Sequence, residues 1–238
     1  MDPQGKVNAE RLHQSIARRL GTAILNGRHQ PGDPIEGEVE QSAALGVSRT
    51  AYREAVRIVT AKGMLESRPK AGTRVTARSR WNMLDPEVLS WMFQSEPDEG
   101  FIADLFELRG VLEPAAAEMA ARRRSEGQLA EMATHLDCMH EQGLFQPEGQ
   151  EADRQFHRAI LEATGNEAMI SLGSSIGAAV QWTTRFKQRA NMLPRDPYDD
   201  HRAVYDAIAA ADPVAAGDAM RRLLRLALAD MQPGAAAR

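Results

Sequence analysis

The segment Gly46-Val47-Ser48-Arg49-Thr50-Ala51-Tyr52-Arg53-Glu54-Ala55-Val56-Arg57 constrains this chain more than any other. Wound into an α-helix from Ser48 onward, it sets Arg49, Arg53 and Arg57 four residues apart on one face. Tyr52, Ala55, Val56 and Val59 share the other. Such a helix lays its apolar face on a core and turns its cations outward, the layout of a recognition helix that enters a DNA groove. A solvated charged face would explain the pattern in an isolated stretch, so the neighbouring segments decide.

Those neighbours describe a winged helix-turn-helix. Leu12, Ile16, Leu20, Ala23 and Ile24 recur at helical spacing over residues 10–27, with Gly27 as a stop. Pro31-Gly32-Asp33-Pro34 is turn punctuation, and a second short helix over 36–45 ends at Gly46. Ser48 is a good N-cap for the third helix, which Gly63 closes. Two β-like runs, 64–68 and 73–76, joined through Pro69-Lys70-Ala71-Gly72, form a basic hairpin. The DNA-binding domain is thus expected over 1–78. Ser48, Arg49, Thr50 and Arg53 of the helix and Lys70, Gly72 and Thr73 of the hairpin are expected at the nucleic acid.

Charge separates this region from the rest. The chain carries a net charge of −4, yet residues 1–80 hold 14 Lys and Arg against 8 Asp and Glu, and the remainder 15 against 25. A basic third joined to an acidic remainder suits one part facing a polyanion and another doing something else. The single cysteine, Cys138, excludes an internal disulfide and a CxxC zinc module and suits a reducing cytoplasm. No apolar run approaches the roughly 20 residues that span a bilayer, and the first residues lack the pattern of a signal peptide.

After a linker and connecting helix over 79–97, the sequence predicts a mostly α protein. Six further helices are expected near 98–123, 125–142, 148–164, 167–190, 197–210 and 213–231, with no convincing strand. They make an all-helical antiparallel bundle over 98–238, large enough to enclose a pocket.

The first third resembles the winged-helix domain of the GntR family of bacterial transcription regulators. The resemblance rests on Ile24 to Gly27, Pro31-Gly32, Glu38, Glu40, the run Gly46 to Ala55, Lys62-Gly63-Met64-Leu65 and Ala71 to Val75. It departs at Gln41, usually leucine, and at Glu36, often proline. The helical part is similar to the ligand-sensing FCD domain of the FadR subfamily, through Glu107-Leu108-Arg109, Glu113-Pro114-Ala115-Ala116, Asp153, Phe156-His157, Ala163-Thr164-Gly165-Asn166, His201, Ala207-Ile208, Asp212 and Ala219-Met220. Trp81-Asn82-Met83-Leu84-Asp85 and Val88-Leu89-Ser90-Trp91 are similar to the linker of regulators of sugar-acid catabolism, the galactonate type among them.

The resemblance implies a sensor site. Arg109 lies on the otherwise apolar stripe Leu105, Leu112, Ala116, and a guanidinium aimed into a core needs an anion. Glu113, one turn on, supplies one; the carboxylate of a bound acid is the other reading, and the one the resemblance favours. Asp153 and His157 share a helical face, and His201 heads an inward stripe with Val204, Tyr205 and Ile208. Read without the family, the first two are an ordinary i,i+4 pair. With it, they and His201 are ligands of a divalent metal such as Zn²⁺, or direct partners of the effector. The histidine that completes the family's site is replaced here by Leu223. Trp182, Thr184 and Arg185 are further candidates at the effector.

The resulting reading is a ligand-responsive DNA-binding regulator, a repressor of a catabolic operon. As a homodimer it would read a palindromic operator, and a small carboxylate such as a sugar acid would change the spacing of its two winged helices. A metal-dependent hydrolase using Asp153, His157 and His201 is the enzymatic alternative, opposed by the lack of an activated nucleophile or phosphate-cradling loop. An architectural DNA-binding protein without a sensor is the third.

Overall fold

The computed structural model describes residues 3–68, 72–94, 97–189 and 195–231, with backbone alone for 3–11. It divides into two compact units, Met1–Glu96 and Pro97–Arg238.

The first unit runs α1 (Pro3–Leu25), β1 (Pro34–Ile35), α2 (Glu38–Ala44), α3 (Arg49–Ala61), β2 (Leu65–Arg68), β3 (Gly72–Val75) and α4 (Pro86–Gln94). β3 lies between β1 and β2, antiparallel to both, with Pro34 opposite Arg74 and Leu65 opposite Val75. β1 falls where the sequence predicts only a turn. Two residues are too few to show alternation, and proline, lacking an N–H, is tolerated in the edge strand it occupies. The core gathers Ile16, Ala17 and Ile24 of α1, Tyr52, Ala55 and Val59 of α3, and Met64, Leu65 and Val75 of the sheet. Val56, expected on the same apolar face, is half-buried.

Gly63 ends α3 with φ +75°, and a Cβ there would sit 2.1 Å from the Arg80 carbonyl oxygen, so only glycine lets these chains meet. The segment expected as a linker is held within this unit. Lys62 Nζ pairs with Asp85 at 2.8 Å and Glu87 at 2.6 Å, and the Trp81 indole donates to the Thr76 carbonyl at 3.1 Å. α4 packs on α1, where the Trp91 ring fills the space a Cβ at Gly21 would need.

The second unit contains α5 (Glu99–Arg123), α6 (Glu126–Gln142), α7 (Pro147–Ala163), α8 (Glu167–Ser171), α9 (Gly173–Arg189), α10 (Tyr198–Ala209) and α11 (Pro213–Ala229), with no strand among its described residues. The single helix expected over 167–190 is two. The run Ser171-Leu172-Gly173-Ser174-Ser175 is poor in helix formers, and the Ser171 hydroxyl donates to the Ala168 carbonyl where α8 stops. Phe156 and Ile160 of α7 sit in a core with Met132 and Leu136 of α6, Val204 and Ile208 of α10, and Met220 and Leu224 of α11. Side chains finish the helix ends. Ser125 and Gln128 form a capping box on α6, Asp212 caps α11, and Arg123 and Arg124 donate to the terminal carbonyls Thr164 and Ala209. Among the described residues no helix is long and apolar enough to cross a membrane.

Candidate functional site

In the first unit the Ser48 hydroxyl accepts from the Ala51 N–H at 3.1 Å and starts α3. With Tyr52, Ala55 and Val59 anchored in the core, the helix has one rotational setting, which leaves Arg49, Thr50 and Arg53 exposed. Neither Arg49 nor Arg53 has an ion-pair partner among the described residues, whereas Arg57 pairs with Glu54 at 2.8 Å. Arg53, Val56, Arg57 and Thr60 form one wall of an open groove of about 840 Å³, and Ser67, Gly72 and Thr73 of the hairpin line it too. Ser67 and Thr73 share a hydroxyl–hydroxyl hydrogen bond of 2.8 Å, and Gly72 is exposed with φ +75°. Lys70 lies outside the described residues. Of the neighbouring cations, Arg68 of β2 and Arg80 beyond β3 are both taken by Glu66, at 2.9 and 2.7 Å, and Arg74 of β3 donates to the Gly32 carbonyl at 2.9 Å. A groove flanked by the unpaired Arg53, on a helix that also exposes Arg49, can receive a phosphate backbone while these arginines reach base edges.

The second unit holds its charged groups inside. Arg109 and Glu113 of α5, Asp153 and His157 of α7, Thr184 and Lys187 of α9 and His201 of α10 are all more than 90% buried. Arg109 Nε donates to Glu113 Oε1 at 2.5 Å, and its guanidinium lies 5.1 Å from the Phe106 ring centre. Glu113, the partner the sequence itself offers Arg109, is thus in contact with it. Glu113 Oε2 also lies 2.5 Å from His157 Nδ1, off-line for a hydrogen bond, and neither atom has another hydrogen-bond partner among the described residues. The His201 Nδ1 faces the Pro197 carbonyl at 2.8 Å. Both rings then turn Nε2 toward Asp153 Oδ1, at 3.5 Å from His157 and 3.1 Å from His201, while Thr184 donates to Asp153 Oδ2 at 3.3 Å.

This geometry fixes the proton positions. A carbonyl can only accept, so His201 Nδ1 carries the proton, and the carboxylate beside His157 Nδ1 requires the same there. In their neutral forms both rings thus aim an Nε2 lone pair at a carboxylate oxygen. That arrangement repels unless a proton or a cation joins it. Imidazoles whose far nitrogens are held by a carboxylate and a carbonyl, with near nitrogens converging beside an aspartate, are the donor set a divalent metal takes. Ligand atoms of Asp153, His157 and His201 lie within 4.8 Å of one another. With the protein's own groups alone, burial would raise the Asp153 and Glu113 carboxyls, but hydrogen bonds from both histidines at Asp153, and the charges of Arg109 and His157 at Glu113, pull both below the usual carboxylate range. Burial would lower His157, and the two flanking carboxylates push it up instead. Lys187 goes the other way, its ammonium pushed down by burial.

Arg109, Asp153, Thr184, Lys187, His201 and Leu223 line a cavity of only about 30 Å³, room for a water molecule or an ion. Leu223 stands in its wall, where the sequence predicts the missing ligand. Trp182 and Arg185 do not line it; the guanidinium lies over the indole at 5.2 Å and donates to Gln150 at 3.4 Å. They sit one position too far around α9. Sequence reasoning missed Lys187 and Arg195 as lining groups. Lys187 falls four residues after Thr183, a back-bonded buried threonine, and that spacing marks it as inward-facing.

Comparison with known proteins places both units. Residues 12–75 match the family described as bacterial regulatory proteins, gntR family, and residues 104–226 match the FCD domain. The chain is 33% identical to the galactonate operon transcriptional repressor of Escherichia coli over 86% of its length and 90% of the relative's. It is 35% identical to an HTH-type transcriptional regulator of the same organism, YieP, over 90% and 93%. In fold it is similar to the Listeria monocytogenes protein Lar, with a TM-score of 0.66 at 17% identity, covering 94% of this chain and 97% of that one. The matched families and relatives are transcriptional regulators and not enzymes, which removes the hydrolase alternative.

Proposed function

Because the chain belongs to the gntR family of bacterial regulatory proteins and carries an FCD domain, we propose that this DNA-binding transcription regulator is a homodimeric repressor whose helical unit senses a small hydroxylated carboxylate, a sugar acid first among them. The observation that carries the sensing role is the buried convergence of His157 and His201 Nε2 on Asp153, beside a cavity lined by cations. A charged cluster with no ligand to serve is an expensive way to build a core. The likeness to a galactonate operon repressor supports both the acid and the direction of control.

Asp153, His157 and His201 would hold a divalent ion such as Zn²⁺, each through one atom. Bound there, the ion supplies a Lewis-acid point for effector oxygens, and Leu223 leaves the position beside it open. Glu113 and the Pro197 carbonyl hold the two rings in register. Thr184 orients the aspartate. At the DNA, Arg49 and Arg53 read base edges of one half of a palindrome, and the hairpin with Lys70, Gly72 and Thr73 holds the backbone.

The test is a fluorescence-anisotropy titration of the full chain on DNA from its own promoter region. Added D-galactonate, D-gluconate or L-lactate is expected to release the DNA, and an acid at 100 times its Kd to stabilise the helical unit by about 2.7 kcal/mol. Zn²⁺ is expected to bind once per chain, to be lost in His201→Ala and to tighten in Leu223→His. Operator affinity indifferent to all three acids, with and without Zn²⁺, would overturn the sensing role.

A further inference from the structure

The cavity wall contains three cations, and they are not equally occupied. Arg109 is met by Glu113 at 2.5 Å, and Arg195 by Asp200 and by Asp230, the latter at 3.3 Å. Lys187 has neither a hydrogen bond nor an ion pair among the described residues, although it is only 5% exposed. An ammonium taken out of water without an anion is strongly disfavoured, and a carboxylate arriving beside it would relieve that penalty. The carboxylate acting on it most is Asp153, whose two oxygens are already committed to His157, His201 and Thr184. A divalent ion beside Asp153 would cancel even that attraction and leave Lys187 as the excess positive charge.

We infer that Lys187 is the group that binds the effector's carboxylate, with the effector's hydroxyls turned toward Asp153, His157 and His201. This rests on the sensing role proposed above and names its ligand class as a monocarboxylate, since one unmatched cation faces the cavity among the described residues. It also moves the anion clamp from Arg109, whose Nε is held by Glu113, to a side chain one helix away. Arg109 then acts as a positioning residue for Glu113 and, through it, for His157. The four-carbon stem of a lysine swings without breaking a helix hydrogen bond, so the wall can retreat there to admit a molecule larger than the present 30 Å³.

Calorimetry on the full chain separates the possibilities, using D-galactonate, D-gluconate and L-lactate as probes together with the neutral amide of each. In the wild type the acid is expected to bind roughly ten- to a hundredfold more tightly than its amide, the range of a charged hydrogen bond. Lys187→Met should lose that preference while binding the amide as the wild type does, and Lys187→Arg should keep part of it. Lys187→Gln provides the same readout if the methionine variant does not fold, and a cooperative unfolding transition of the helical unit, followed by circular dichroism, certifies either protein. A wild-type acid-to-amide ratio in the neutral variants overturns the inference and leaves the sensing role standing. Failure of all three acids to bind the wild type overturns both.

Discussion

The two units place their working groups in opposite ways. In the first, Arg49, Thr50 and Arg53 stand exposed on one helix, and the fold does no more than hold that helix still. In the second, seven polar or charged side chains from four helices are sealed inside, and all but Lys187 are matched to one another. The difference follows from the partner. DNA brings its own charge to a solvated surface, so the cations that meet it cost the fold nothing while free. A small ligand must be enclosed to be recognised, so its site is desolvated beforehand and its charges must be balanced within the protein. Substitutions on the first surface should therefore alter DNA binding and spare stability, and substitutions in the matched network of the second should cost stability and leave the DNA-binding surface intact.

The largest expected effect is at Glu113. It is the common partner of Arg109 and His157, and Glu113→Ala leaves both buried without their anion. Removing one partner of a buried ion pair costs about 3–5 kcal/mol. Urea unfolding followed by circular dichroism should show that loss in the helical unit, with the DNA-binding unit's transition unmoved. A loss below about 1 kcal/mol would break the comparison, because the buried network would then be no more demanding than a surface pair.

Next in size is Arg53→Ala, the mirror experiment. If Arg53 reads a base edge the change should cost about 1–3 kcal/mol in operator affinity and relax specificity at one position of each half-site. Stability should stay within about 0.5 kcal/mol, since the side chain is exposed and unpaired among the described residues. Gel-shift titration against operator and scrambled DNA checks the first part and thermal unfolding the second. Lys70→Ala should weaken binding to both DNAs alike and reduce its salt dependence.

The same contrast explains what the sequence makes legible. Local periodicity puts Arg49 and Arg53 on an exposed face, because a surface helix writes its buried and exposed faces directly into residue spacing, while Ser48 is read from capping chemistry and the neighbouring segments say what the face is for. The helical unit's elements are equally legible from caps and stops, apart from the break at Leu172, where the weak helix formers lie inside an otherwise continuous pattern. Its site is not. Asp153 and His157 share a helix, but His201 is 44 residues further on, and only the family resemblance joins them. Glu113 stands one turn from Arg109 and so reads as its partner, but its contact with His157 crosses from α5 to α7, a relation no spacing within one helix records. Trp182 and Arg185 show the converse failure. Their types suit a polyol, but helical phase turns them from the cavity, toward which Thr184 and Lys187 point.

Ser48 offers the smallest effect and the sharpest division, because one hydroxyl caps the helix and is also proposed to lie at the DNA. Its oxygen caps α3 through the Ala51 N–H, so Ser48→Ala should cost the first unit about 1 kcal/mol, as N-cap losses do. Ser48→Asp keeps a good cap and adds a negative charge at the end of the helix that approaches the phosphates. Its stability should match the wild type while its operator affinity falls, most at low salt, where unscreened repulsion is largest. Thermal unfolding paired with anisotropy titrations at two salt concentrations reads both quantities. Should Ser48→Asp bind operator as the wild type does, the helix start would not face the backbone, and the exposed arginines one and five residues later would lose the orientation on which their reading of DNA depends.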